Sequence, residues 1–69
     1  MGAKGKDRKT AAVRKRLTSE GWFVARKGPG DHLQYKHATK PGRVTIDAGA
    51  GDIPTGTLRS IYPQAGWEW

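Results

Sequence analysis

Two turn signals, Gly28-Pro29-Gly30-Asp31 and Ala38-Thr39-Lys40-Pro41-Gly42, cut the middle of this chain into three short segments. Each segment is too short for a stable helix and has strand character. Trp22–Lys27 (WFVARK) is aromatic and β-branched. His32–His37 (HLQYKH) alternates, with His32, Gln34 and Lys36 on one face and Leu33, Tyr35 and His37 on the other. Arg43–Asp47 (RVTID) alternates again, Val44 and Ile46 opposing Arg43, Thr45 and Asp47. Strands joined by such short connections pair with their neighbours and run antiparallel, so the pattern predicts a three-stranded meander.

Such a sheet needs a helical layer over its apolar face, and the flanks provide one. Asp7–Glu20 reads as a helix, with Asp7 as N-cap and Val13 and Leu17 spaced i,i+4 behind Thr10; Gly21 is the stop. After a Gly-rich loop at residues 48–54, Thr55 reads as the N-cap of a second helix. Leu58, Ile61, Tyr62 and Ala65 form its buried stripe, and Gly66 ends it. Pro63 removes the hydrogen bond to the Arg59 carbonyl, which predicts a kink or an early end. Trp22, Phe23 and Tyr35 are expected in the core, and Trp67 and Trp69 to pack back on it. The expected fold is therefore α+β: two layers, α-β-β-β-α, with a three-stranded antiparallel sheet. Residues 7–69 form a single domain, preceded by a flexible basic arm at 1–6.

At 69 residues the core is small, and stability on the order of 3–5 kcal/mol is all it supplies alone. There is no cysteine, which excludes disulfide staples and thiolate metal sites. No apolar run approaches a membrane span, and the basic start lacks the apolar stretch of a signal peptide, so a cytoplasmic protein is expected. The formal charge is +7, and it is lopsided: the last third carries Arg59 against Asp47, Asp52 and Glu68. A basic front on so small a body points to nucleic acid first, an acidic protein second and an anionic membrane third.

Pairing the second and third strands with like faces together puts Tyr35 opposite Ile46 or Val44. Under the first option His37 pairs with Val44, Lys36 with Thr45 and Gln34 with Asp47. His32 then sits one diagonal step from Asp47 on the polar face, and Arg26 joins them if the first strand follows the same sense. His37 falls on the Leu33/Tyr35 face and reads as a packing residue. The two histidines point to opposite faces, so no shared metal site is expected. Gly28-Pro29-Gly30 has backbone N–H groups that can cradle phosphate, though a plain hairpin turn fits it better. The Gly49–Gly51 loop is not a P-loop, since the Gly-Lys-Ser/Thr ending is missing.

Several stretches, taken in order, resemble the HicA toxin family. They are Gly21-Trp22; Arg26-Lys27-Gly28; Gly30-Asp31-His32-Leu33-Gln34-Tyr35-Lys36-His37; Lys40-Pro41-Gly42-Arg43-Val44-Thr45-Ile46; and Gly56-Thr57-Leu58-Arg59-Ser60-Ile61 followed by Gln64-Ala65-Gly66. The resemblance implies a fold like a double-stranded-RNA-binding domain. It also implies an mRNA interferase that arrests growth, and a HicB antitoxin as cognate partner. The essential His of the family's GSH-type motif maps onto His32. Asp31 stands where that motif usually has Ser. Asp47-Ala48 stands where many members have Pro-His. Pro63 interrupts the last helix.

The chemistry suits the residues. Metal-independent RNA cleavage uses the 2′-OH as internal nucleophile, so a base must take its proton and an acid must protonate the leaving 5′-oxygen. Imidazole, with an ordinary pKa of about 6.5, has both forms near neutrality. His32 is thus the candidate catalytic residue. Arg26, Lys27, Gly30 and Lys36 are candidates for holding RNA phosphate, and Asp47 for orienting the ring. A lysine or solvent supplies the second proton transfer, and no cofactor is called for. The alternatives are a non-catalytic RNA-binding module using the same basic surface, and a domain that docks an acidic protein. An antitoxin subunit is expected to cover His32 and meet the cationic surface with acidic groups.

Overall fold

The structure is a computed structural model that describes residues 7–69; the basic arm expected at 1–6 lies outside the described residues. The element order is α1 (Thr10–Ser19), β1 (Trp22–Lys27), β2 (His32–His37), β3 (Val44–Asp47) and α2 (Thr55–Ala65). The strands form one antiparallel sheet in the order β1-β2-β3. This is the two-layer α-β-β-β-α arrangement that the periodicity predicts.

One face of the sheet is the core face. Trp22 of β1, Leu33 and Tyr35 of β2, and Val44 and Ile46 of β3 are buried against Val13 and Leu17 of α1 and Leu58, Ile61 and Ala65 of α2. Ile53, from the loop before α2, and Trp67, after it, complete the cluster. The buried stripe of α1 is Thr10, Val13 and Leu17, so the i,i+3/i+4 spacing located the face correctly.

The helix ends differ from expectation. The first helix starts at Thr10, not after Asp7, because Arg8 and Lys9 run against the loop before α2, with Lys9 extended. Thr10 N donates to Gly51 O (3.1 Å), Ile53 N donates to Arg8 O (2.7 Å), and Lys9 bridges Asp52. Asp7 instead accepts from the Lys9 amide at 3.0 Å, upstream of the helix. The second helix begins at Thr55 with Pro54, not Thr55, at the cap position, and the Pro54 carbonyl accepts the first helical bond from Leu58 N at 2.9 Å. Nor does Pro63 end this helix, which continues through it to Ala65. Gly66, at φ 81°, then closes it with bonds from Gly66 N to Pro63 O and from Trp67 N to Tyr62 O. Burial of Tyr62 and Ala65 on either side of Pro63 holds that last turn in place.

The strand register is the second of the two options. Tyr35 pairs with Val44, Leu33 with Ile46, Gln34 with Thr45 and His32 with Asp47. This arrangement buries both apolar pairs on one face and brings His32 directly opposite Asp47 rather than diagonal to it. It also leaves His37 beyond the end of β3, where its ring stacks edge-on against Trp22 with centroids 5.3 Å apart.

Candidate active site on the open face of the sheet

The sheet face away from the helices carries the polar half of each alternation. Its rows are Phe23 with Lys36, Arg26 with Gln34 and then Thr45, and His32 with Asp47. Simple alternation from Trp22 would send Arg26 to the core side. A bulge between Val24 and Arg26 inserts Ala25 and returns Arg26 to the face of Gln34 and His32. The same bulge registers Lys27 with Leu33, a residue of the other face, so Lys27 is exposed but out of line with His32.

His32 sits at the mouth of the β1–β2 hairpin and is exposed. Three contacts fix its place. Gly28 N donates to His32 O at 2.7 Å, closing the turn. Ala48 N donates to Asp31 O at 2.8 Å, tying the turn to the end of β3. The ring itself contacts the Pro29 carbonyl through Nδ1 at 3.3 Å. A carbonyl only accepts, so Nδ1 carries the proton in that bond, and the lone pair of the neutral ring is on Nε2. Gly30 is at the tip of the turn, where its φ of 65° favours glycine.

Asp47 lies across the strand pair from His32, but its own hydrogen bond goes elsewhere: Oδ1 accepts from Gly49 N at 3.0 Å. His32 and Asp47 also line a cavity of about 490 Å³ along the β3 edge, with Asp52, Thr57, Ile46, Ile53 and Ile61 among its walls. Among the described residues, no three His, Cys, Asp or Glu side chains gather as a metal site needs. No helix among them is long and apolar enough to cross a membrane.

Next to the His32 row, Ala25, Arg26, Gln34, Lys36 and Arg43 line a concavity of about 210 Å³. Arg43 Nη1 donates to Gln34 Oε1 at 3.3 Å, which turns its guanidinium over the sheet. Arg26 and Lys36 are therefore together on the face of His32, as expected. Arg43 and Gln34 were not singled out from the sequence, although the alternation of RVTID and HLQYKH already placed both on the polar face. Phe23 is a correction. It was expected in the core but is 52% exposed on the open face, because both helices pack on the opposite side.

A family model matches most of the chain. The one described as the HicA toxin of bacterial toxin-antitoxin systems matches residues 11–67, from the first turns of α1 to Trp67 beyond α2. The chain belongs to the HicA toxin family. No curated relative matches it. The match spans every strand and the turn that carries His32, so it covers the candidate site as well as the fold. HicA toxins act within toxin–antitoxin systems, and a HicB-type antitoxin is the general partner of the family.

The second histidine has a different setting from His32. His37 Nε2 donates to Glu20 O at 2.9 Å, and its Nδ1 accepts from the amides of Thr39 (3.1 Å) and Lys40 (3.2 Å). With both ring nitrogens bonded within the fold, it serves the β1–β2–α1 corner and not the open face. Close by, Glu20 accepts from Trp67 Nε1 at 2.7 Å and pairs with Arg16 at 3.2 Å. The indole hydrogen bond, helped by Arg16 and Lys40, holds the Glu20 carboxyl below its ordinary pKa against the opposing effect of partial burial.

Proposed function

We propose that this HicA-family toxin is a metal-independent endoribonuclease in which His32 transfers the proton. The observation that carries the proposal is the placement of one exposed imidazole at a hairpin mouth, Nδ1 bonded to the Pro29 carbonyl, on a sheet face lined by Arg26, Lys36 and Arg43. Nε2 takes the proton of a ribose 2′-OH. The 2′-oxygen attacks the adjacent phosphorus, the bond to the 5′-oxygen breaks, and that oxygen is protonated by a lysine or solvent. The products are a 2′,3′-cyclic phosphate and a 5′-hydroxyl. Arg26, Lys36 and the turn at Gly30 hold phosphate, with Lys27 adding charge from the sheet end. Asp47, paired with His32 in the strand register, is the candidate for orienting the ring.

Purified protein incubated with RNA in EDTA tests this. Cleavage should yield cyclic-phosphate ends and be lost in His32→Ala while RNA binding persists. Binding with no products from the wild type would make the chain a non-catalytic RNA-binding module. Expression should arrest growth, and co-expression of a HicB-like antitoxin should relieve the arrest. An antitoxin covering His32 with acidic groups predicts that neutralising Arg26, Lys27 and Lys36 weakens the complex, most at low salt.

A further inference from the structure

We propose that Phe23 is a base-stacking platform for single-stranded RNA, set at the far end of the sheet face that begins at His32. This rests on the ribonuclease reading for its substrate class and adds which form of RNA is bound and by what residue.

A lone exposed phenylalanine is ordinary on a protein surface and proves nothing. The neighbours of Phe23 make the case. It is directly across from Lys36 in the strand register, and next along the same face come Arg26 and Gln34, then His32. The concavity lined by Arg26, Gln34, Lys36 and Arg43 lies in this row, between Phe23 and His32 in register. An aromatic ring adjoining a cationic groove is what a single strand needs: phosphate meets the guanidinium and ammonium groups while a base stacks on the ring. A duplex hides its base faces and offers the ring nothing. An acidic protein could also bury the ring, so the antitoxin is the rival occupant that the test separates from RNA.

The scale also fits. His32 and Lys36 are separated by four strand steps, about 13 Å at the usual strand rise. That is no more than about four nucleotides even at the ~3.4 Å rise of a stacked strand. A strand whose scissile phosphate is at His32 thus reaches Phe23 within a few nucleotides on one side. The fold does not need this side chain. The buried ring of β1 is its neighbour Trp22, and Phe23 is not part of the hydrophobic cluster.

Fluorescence anisotropy with a labelled 2′-O-methyl RNA single strand, which cannot be cleaved through its 2′ position, reads the contact without catalysis. Phe23→Ala should weaken binding about 5- to 150-fold, the range for ~1–3 kcal/mol per stacked base. Phe23→Trp should bind at least as tightly as the wild type. Phe23→Leu, apolar but without a π face, should resemble Phe23→Ala. The salt dependence should be unchanged by Phe23→Ala and reduced in slope by about 1 in Lys36→Ala. Unaltered melting of the Phe23 variants checks that the fold is intact. Equal single-strand affinity for wild type and Phe23→Ala, or full affinity in Phe23→Leu, overturns the proposal. So does a loss that is the same for duplex RNA, or one confined to antitoxin binding. Phe23-dependent binding by a protein that cleaves no RNA leaves the platform standing and removes the ribonuclease. A wild type that binds no RNA removes both.

Discussion

The two faces of this small sheet have opposite chemistry although they are built from the same residues in turn. In β3, Val44 and Ile46 are buried while Thr45 and Asp47 are exposed. In β2, Leu33 and Tyr35 are buried and His32 and Lys36 are exposed. The covered face bears the hydrophobic cluster, at whose edge Arg14 Nε donates to the buried Tyr35 hydroxyl at 2.9 Å. The open face bears the histidine, the cations and one aromatic ring. A domain this short has no spare element on which to build a site, so stability and chemistry are divided between the faces of one sheet. Substitutions on one face should therefore change stability, and substitutions on the other should change only the proposed activity on RNA.

The sharpest way to break that division is at His32. Replacing it with Ala should lower the cleavage rate by about 10²- to 10⁴-fold, the usual worth of a positioned acid–base group. The melting transition should stay within about 0.5 kcal/mol of wild type, because the side chain is exposed. Rapid-quench cleavage assays alongside thermal melts decide it. A variant that retains its rate, or that loses activity only because it unfolds, puts the two faces in the same role.

Next in size is a pair of neighbours. Ile46→Ala removes a side chain that is 1% exposed from the middle of the core, at a cost of about 2–5 kcal/mol. Against total stability on the order of 3–5 kcal/mol, much of the population should then be unfolded at room temperature. Thr45→Ala, one residue away and on the open face, should cost less than about 0.5 kcal/mol. Urea titrations of both check it; similar midpoints would mean that the helices do not define a separate covered face.

Much of this division was legible in the sequence, because a strand's period of two is a direct record of its faces. The alternation of HLQYKH and RVTID located the core residues and the polar residues alike, and the turn signals bounded β1 and β2. What escaped had to do with relations between elements. WFVARK does not alternate, so nothing in it marked the bulge that moves Arg26 to the open face. Nor did anything local mark that Phe23 would be left uncovered: that depends on both helices choosing the same side of the sheet. The register was undetermined between two options that each matched apolar with apolar. The one adopted is accompanied by a tie between Ala48 N and Asp31 O, a contact 17 residues apart in sequence. The start of α1 was misplaced because the partner that holds Arg8 and Lys9 lies beyond residue 50.

A smaller effect tests the corner where the covered face is sealed. Gly21 has φ 96°, and a Cβ there would come within 2.9 Å of His37 Nε2, the atom that donates to the Glu20 carbonyl. Gly21→Ala should cost about 1–3 kcal/mol, part backbone strain and part displacement of the ring. Adding His37→Ala removes the steric part but not the strain. The double variant should therefore lose less than the sum of the single variants, as a double-mutant cycle would show. Strict additivity would mean that the ring yields freely and that only the backbone matters.

The smallest effect is electrostatic and belongs to the same corner. Glu20 has its pKa lowered in the folded protein, first by the Trp67 indole and then by Arg16 and Lys40. A carboxyl group with a depressed folded pKa stabilises the fold fully above its unfolded value. That contribution is lost as pH falls through the folded value. For Glu20 the window opens near the ordinary 4.5 and extends below it. Because the ion pairs are partly solvent-exposed, their contribution belongs with surface pairs, at most about 1 kcal/mol. Glu20→Gln keeps an acceptor for the indole but removes the charge. Its melting temperature should fall slightly below that of wild type at pH 7, and the gap should close as the pH is lowered from 5 to 3. Parallel curves across that range would show that the carboxylate charge adds nothing, leaving the neutral hydrogen bond to Trp67 as the whole of what Glu20 contributes to the covered face.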